Sequence, residues 1–170
     1  MALLPILCYP DPRLHTVAKP ISSIGEHHQS LIKDMFETMY ESKGIGLAAT
    51  QVNHHERLIV IDTSEDTSNP MVLINPRIIE YSTEIIRSDE GCLSVPGFFD
   101  GIDRAKEINV EFLDERGQRK TLEAQDLLSI CIQHEIDHLE GKVFVEYLST
   151  LKRNRIKAKL LKAQRELERS

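Results

Sequence analysis

The sequence predicts an α+β fold: mixed or antiparallel strands packed around one buried helix, with an amphipathic helix at the C-terminal end. Three observations carry this. Apolar residues recur at helical spacing in two separated stretches, about 25–42 and 126–140. Short runs of β-branched or alternating residues, bounded by turn residues, lie between them. A length of 170 residues, 41% hydrophobic and 28% charged, suits one domain with its own core and excludes a disordered or collagen-like chain.

The first helix covers about Gly25 to Ser42, with Leu31, Ile32, Met35, Phe36 and Met39 on one face. It is expected to stop at Lys43-Gly44, with the glycine as C-cap. Two glycines then bracket Ile45 before the apolar run Gly46 to Gln51. Strands are expected at Arg57 to Asp62, Met71 to Ile74 and Ile78 to Tyr81, the last two separated by Asn75-Pro76. Ser64 to Pro70 reads as an exposed loop. Glu107 to Leu113 and Gln118 to Glu123 read as a hairpin around Asp114 to Gly117. A second helix runs from Asp126, as N-cap, to Glu140, with Gly141 ending it. It is apolar over so wide an arc that it must be buried, so its polar residues need partners. A third helix covers 149–170 and is basic, with a partial stripe of Leu151, Ile156, Leu160, Leu161 and Leu167.

Composition narrows the class. No apolar run approaches the ~18–20 residues that span a bilayer, and the first ten residues lack the pattern of a signal peptide. Cys8, Cys92 and Cys131 are too few and scattered for a disulfide framework, so a reducing cytoplasm is expected. The net charge of −6 argues against a chain devoted to nucleic acid. Residues 152–170 carry eight Lys or Arg against Glu166 and Glu168, a net of +6, which leaves −12 on the rest. A basic tail on an acidic body calls for an explanation.

The buried second helix contains His134-Glu135-Ile136-Asp137-His138. Two His four apart lie ~40° apart around the axis and one turn along it, so both imidazoles can reach one metal ion. Glu135 sits beside them as a potential base. The alternative is two histidines bonded elsewhere, which burial makes expensive. A third ligand must come from another part of the chain. One zinc-peptidase pattern would put a His at 144, where Phe144 stands, and no His follows His138. A cysteine is the better candidate. The Cα of Cys131 lies ~10 Å along the axis from that of His138, which makes a shared site difficult. Cys92 stands in a segment with Gly91, Pro96 and Gly97 that can bring a thiolate close, and an ordinary buried thiol is its alternative. His15, His27-His28 and His54-His55 read as solvated surface.

Three motifs occur in order: Gly44-Ile-Gly-Leu-Ala-Ala-Thr-Gln51, Glu90-Gly-Cys-Leu-Ser94 and Gln133-His-Glu-Ile-Asp-His138. With Asp34-Met-Phe-Glu-Thr-Met39 and Val72-Leu-Ile-Asn-Pro76 between them, the chain resembles the peptide deformylase family over essentially its whole length. The resemblance implies a single metallohydrolase domain, 1–170. It implies one divalent ion held by Cys92, His134 and His138, with water in the fourth position. Fe(II) would be native, with Zn or Ni as substitutes. Glu135 would be the general base and then acid. Gln51, through its side-chain amide, and the Leu93 backbone N–H would stabilise the oxyanion. The reaction implied is removal of the formyl group from nascent peptides that begin with formyl-methionine. Ile45, Leu127, Ile130 and Cys131 would line the methionine pocket, and 127, 130, 131 and 134 share a helix face. The peptide backbone would pair at Ile45-Gly46.

Some family members carry an Arg seven residues after the ligand Cys; here Phe99 stands there. Phe98 and Phe99 form an apolar rim or simply pack. The basic helix would contact the ribosome through RNA phosphates, a solvated face being the alternative. A monomer without membrane contact is expected. Two other classes compete: a general metalloamidase or endopeptidase, and a non-enzymatic module with a structural zinc. Structural zinc sites are usually closed by four protein ligands, whereas three stand out here.

Overall fold

In a computed structural model, which describes residues 2–169, seven strands and three α-helices follow one another. Helix α1 (Glu26–Glu41) precedes strands β1 (Gly46–Ala48), β2 (Leu58–Ile61), β3 (Met71–Tyr81), β4 (Ile85–Cys92), β5 (Val95–Ala105), β6 (Glu107–Leu113) and β7 (Arg119–Gln125). Helices α2 (Asp126–Leu139) and α3 (Thr150–Arg169) complete the chain. One sheet has the order β1-β2-β3-β6-β7 and the other is the β4-β5 hairpin, each antiparallel throughout. The α+β expectation is met, with antiparallel rather than mixed pairing between the named strands.

The two-residue period of β2 explains the layers. Ile59 and Ile61 face α2, joined by Leu73, Ile132 and Leu139. Leu58 and Val60 point the other way, against Leu31, Ile32, Met35 and Met39 of α1. With both faces covered, all four residues of β2 are buried, hence its unbroken apolar run. A third core joins Leu14, Val95, Ile102, Phe144, Ile156 and Leu160, and through the last two it anchors α3. The outer faces of α3 carry its cations.

Several local expectations are corrected. Asn75-Pro76 does not break the chain: β3 runs through it, with a register shift between Ile74 and Arg77. Asn75 sits at φ 51, and its side-chain amide accepts from Ile21 N–H and donates to Ile21 C=O, both at 2.8 Å. The turn residues are thus spent on a bulge that ties down the N-terminal segment. The left-handed residue after α1 is Lys43, φ 58, not Gly44. Gly44 is needed for space, since a Cβ there would stand 2.8 Å from Leu93 Cδ1. Asp126 is the first helical residue, at φ 52, and caps nothing with its side chain; its N–H goes to Lys106 C=O. The β4-β5 hairpin is the element no sequence pattern announced. His28 is buried rather than surface: its Nδ1 accepts from Gly25 N–H at 3.0 Å and its Nε2 faces Glu56 at 3.1 Å.

Candidate metal centre and active site

The second helix is buried from Ser129 to Glu135, and its polar residues do have partners. Gln133 donates to Ala105 C=O at 2.9 Å and to Ser129 Oγ at 3.0 Å, pinning α2 to the end of β5. This fixes His134 and His138, one turn apart, opposite the β4-β5 turn that carries Cys92.

Cys92, His134 and His138 bring one thiol and two ring nitrogens within 4.8 Å of one another. Cys92 Sγ and His138 Nε2 are 3.2 Å apart. Ligands on a tetrahedral ion with typical metal–sulfur and metal–nitrogen bonds stand about 3.5 Å apart, so the donor set fits one such ion. Cys131 is not part of this cluster; its thiol faces Ile45 C=O at 3.8 Å. Phe144 occupies the place where another His was sought, and its ring packs at 6.1 Å from that of His134.

A buried charge network orients His134. Its Nδ1 lies 2.8 Å from Glu90 Oε1. Burial alone would raise the Glu90 pKa, but hydrogen bonds and charge from Arg104 and His134 hold it down at about 2. The carboxylate can only accept, so His134 Nδ1 donates and Nε2 is left for another bond. Arg104 grips both Glu90 oxygens, at 2.7 and 2.9 Å, and Asp137 Oδ2 at 2.6 Å. Burial and the nearby His134 lower the pKa of His138, which keeps that ring neutral, as a ligand must be.

Glu135 is 4% exposed, its Oε1 has no partner among the described residues, and burial raises its pKa to about 7. A carboxylate poised there can take up and give back a proton near neutrality. Gln51 sits at the end of a short turn after β1. Its Oε1 accepts from Ala48 N–H at 2.9 Å, which turns its NH2 toward Ser94 Oγ at 3.0 Å and Cys92 Sγ at 3.5 Å. Leu93 follows Cys92 in the turn between β4 and β5. A cleft of about 450 Å³ joins Gly46, Gln51, Cys92, Leu93, His134 and Glu135. An adjoining apolar cleft of about 340 Å³ is lined by Ile45, Leu127, Ile130, Cys131, His134 and Glu135. Ile130 and Cys131 are buried in its floor, whereas Ile45 and Leu127 stand at its exposed mouth. Phe98 and Phe99 divide the two roles foreseen for them. Phe98 packs on the third core, and Phe99, 72% exposed, borders the larger cleft.

Sequence reasoning missed Arg104, Asp137 and Gln133 as supports. The rule that polar residues on a buried helix must be paired pointed to Gln133 and Asp137 on α2 but not to their partner Arg104 on β5.

An α+β scaffold that gathers a thiol, two imidazoles and a buried carboxylate at one cleft is that of a hydrolase with a place for one metal ion. The family model for polypeptide deformylase matches residues 3–154. A peptide deformylase of Neisseria gonorrhoeae is 60% identical over 165 residues, 97% of this chain and 98% of that protein. The crystal structure of peptide deformylase from Ehrlichia chaffeensis in complex with actinonin superimposes with TM-score 0.94 at 42% identity, covering 97% of this chain and 99% of that one. A peptide deformylase from Legionella pneumophila gives 0.93 at 43% identity, with 99% of both chains covered. The chain belongs to the polypeptide deformylase family. It is an enzyme, a hydrolase of protein biosynthesis, and the family's members are metalloenzymes.

Proposed function

We propose that this protein removes the formyl group from the N-terminal formyl-methionine of nascent peptides, releasing formate. The observation that carries the reading is the cluster of Cys92, His134 and His138 behind a cleft that Cys92, His134, Glu135 and Gln51 line, beside an apolar pocket. Cys92, His134 and His138 would hold one divalent ion, which when bound would supply Lewis acidity and a water of lowered pKa. Fe(II) is the proposed native ion; zinc and nickel suit the same donors.

The chain's own residues do the rest. Glu135 takes a proton from the attacking water and returns it to the amine nitrogen as the formyl C–N bond breaks. The Gln51 amide and the Leu93 N–H donate to the oxygen on which negative charge develops, a donor of this kind being worth about 3–4 kcal/mol. The methionine side chain enters between Leu127, Ile130 and Cys131, and the peptide backbone pairs with Ile45-Gly46 on the free edge of β1. The chain acts as one domain, 1–170, monomeric and cytoplasmic, and the basic faces of α3 contact the ribosome. No described helix is long and apolar enough to cross a membrane.

The test is formate release from a formyl-Met tripeptide by Fe(II)- or Ni(II)-loaded protein, against the acetyl analogue. Absence of formate after anaerobic metal loading would sink the reading. Glu135→Ala should keep the metal and lose turnover, whereas Cys92→Ser should lose metal affinity. Turnover in metal-loaded Glu135→Ala would remove that residue from its role.

A further inference from the structure

A recess larger than the catalytic cleft adjoins it. It is an apolar groove of about 600 Å³ between the N-terminal segment and α3, with Ile6, Leu7 and Cys8 on one side and Leu160, Leu161 and Gln164 on the other. Neither the metal cluster nor the methionine pocket uses it. Its α3 wall lies beyond residue 154, where the match to the family model ends.

Two observations connect the groove to the active cleft. Pro96 lines both, so the start of β5, just after the turn at Leu93-Ser94, is the wall between them. The crest of that wall is low: Pro96 and Gly97 are exposed, and among the described residues no atom beyond the chain neighbours of Gly97 lies within 4 Å of where a side chain there would begin. The far side is also tied to the catalytic side. Leu7 N–H donates to Gln51 C=O at 2.7 Å, and Tyr9 N–H donates to Ser94 C=O at 2.8 Å. The groove wall and the catalytic turn are therefore held in fixed register.

We infer that this groove receives the downstream part of the nascent peptide, and that it takes apolar side chains. The inference rests on the proposed deformylation, since the formyl end must already be seated in the cleft. An extended peptide of four residues reaches roughly 13 Å and one of twelve residues about 40 Å, so the longer one has several residues to spare beyond those seated in the cleft. Continuity through Pro96 and Gly97 makes the groove the next apolar surface for a chain leaving over that crest. Tethering by the seated N-terminus turns even weak contacts there into a local, intramolecular event.

The experiment compares formyl-Met peptides of four and twelve residues, the longer ones with Leu or with Ser at positions seven to ten, using the metal-loaded protein. The Leu-bearing twelve-mer should show a KM about tenfold below the four-mer, the scale of one seated aliphatic side chain. The Ser-bearing twelve-mer should resemble the four-mer. Leu161→Glu, on an accessible helix position, should erase the length effect and leave four-mer turnover unchanged. Ala163→Glu provides a second variant if the first perturbs the helix. Independently, the Leu-bearing twelve-mer should slow alkylation of the exposed Cys8, read by mass spectrometry of that peptide, and the four-mer should not. Turnover of the four-mer with no length or Leu dependence overturns the groove and leaves deformylation standing. Failure of the four-mer itself overturns the underlying activity. Concentration-dependent self-association that buries Cys8 without peptide overturns the inference in favour of a second copy of this chain.

Discussion

At Gly46 the backbone runs so close to the cleft that a Cβ would stand 2.6 Å from Glu135 Oε2 and 2.8 Å from Cys131 Sγ. Both are buried and cannot retreat far. Gly46→Ala should therefore displace the carboxylate and lower kcat on the order of a hundredfold, the usual cost of a misplacement near 1 Å. The circular dichroism spectrum should keep its shape while overpacking costs about 1–3 kcal/mol of stability, so a hundredfold loss of kcat in protein that is still folded separates a misaligned site from a lost fold. A second residue-scale case is Tyr40, whose hydroxyl donates to Asp62 Oδ2 at 2.6 Å. Burial, and then the bond to Asp62, push the Tyr40 pKa up to about 12. Burial would raise Asp62, yet hydrogen bonds from Ser64 and Tyr40 bring it below the usual carboxylate value. The Asp62 contribution is thus present above the ordinary value of 3.8 and lost as pH falls through the folded one. That of Tyr40 is present below the ordinary value of 10.0 and lost as pH rises toward about 12. Tyr40→Phe should cost about 1.5–3 kcal/mol at neutral pH. Urea midpoints across the pH range should show its alkaline loss abolished.

At the scale of elements, α2 is held by the contacts that also orient its histidines. Arg104 reaches it from β5 and is 6% exposed, between Glu90 and Asp137, with Tyr147 bonded to Asp137 at 2.8 Å. Arg104→Leu would leave two carboxylates without their cation and should destabilise by about 3–5 kcal/mol, read as a shifted denaturation midpoint. Arg104→Lys should rescue little, since an ammonium cannot fork onto Glu90 and still reach Asp137. The sequence was informative about α1, α2 and the β6-β7 hairpin, because each has a strong period and clear stops. It was uninformative about β4 and β5. Their strands read Ile-Ile-Arg-Ser-Asp-Glu-Gly-Cys and Val-Pro-Gly-Phe-Phe-Asp-Gly-Ile-Asp-Arg-Ala, with glycines and charges where alternation would normally announce a strand. Those departures have uses. Glu90 feeds the charge network, and Gly91 leaves room for the Phe99 ring, which would meet a Cβ at 2.2 Å.

Over the whole molecule, the basic tail is less separable than its charge suggests. Ile156 and Leu160 are buried in the third core with Phe144, whose ring packs against His134. Removing everything after Thr150 exposes that core, at roughly 1.5–3 kcal/mol per apolar side chain, and should lower Tm as well as any affinity carried by α3. A cleaner separation keeps the helix and replaces Lys157, Lys159, Lys162 and Arg165 with Gln. That variant should retain its Tm and its turnover of a formyl-Met tripeptide. Its binding to ribosomes should become weaker and less salt-dependent, because fewer counterions are released from phosphates. Unchanged ribosome affinity would assign those cations to solvation alone.

Sequence alone determined the α+β class, the family, the helix that carries two imidazoles and a carboxylate, and the charge asymmetry. These are local properties: a four-residue helical spacing and a count of charges need no partner to be read. The family resemblance named Cys92, but its place beside His138 required the β4-β5 turn to meet α2 across 46 residues of chain. The same holds for the Arg104 clamp, the bulge at Asn75 and the groove behind Pro96. Each is a meeting between segments far apart in the chain. Such meetings arise from packing two helices on opposite faces of one sheet, and no sequence period records them.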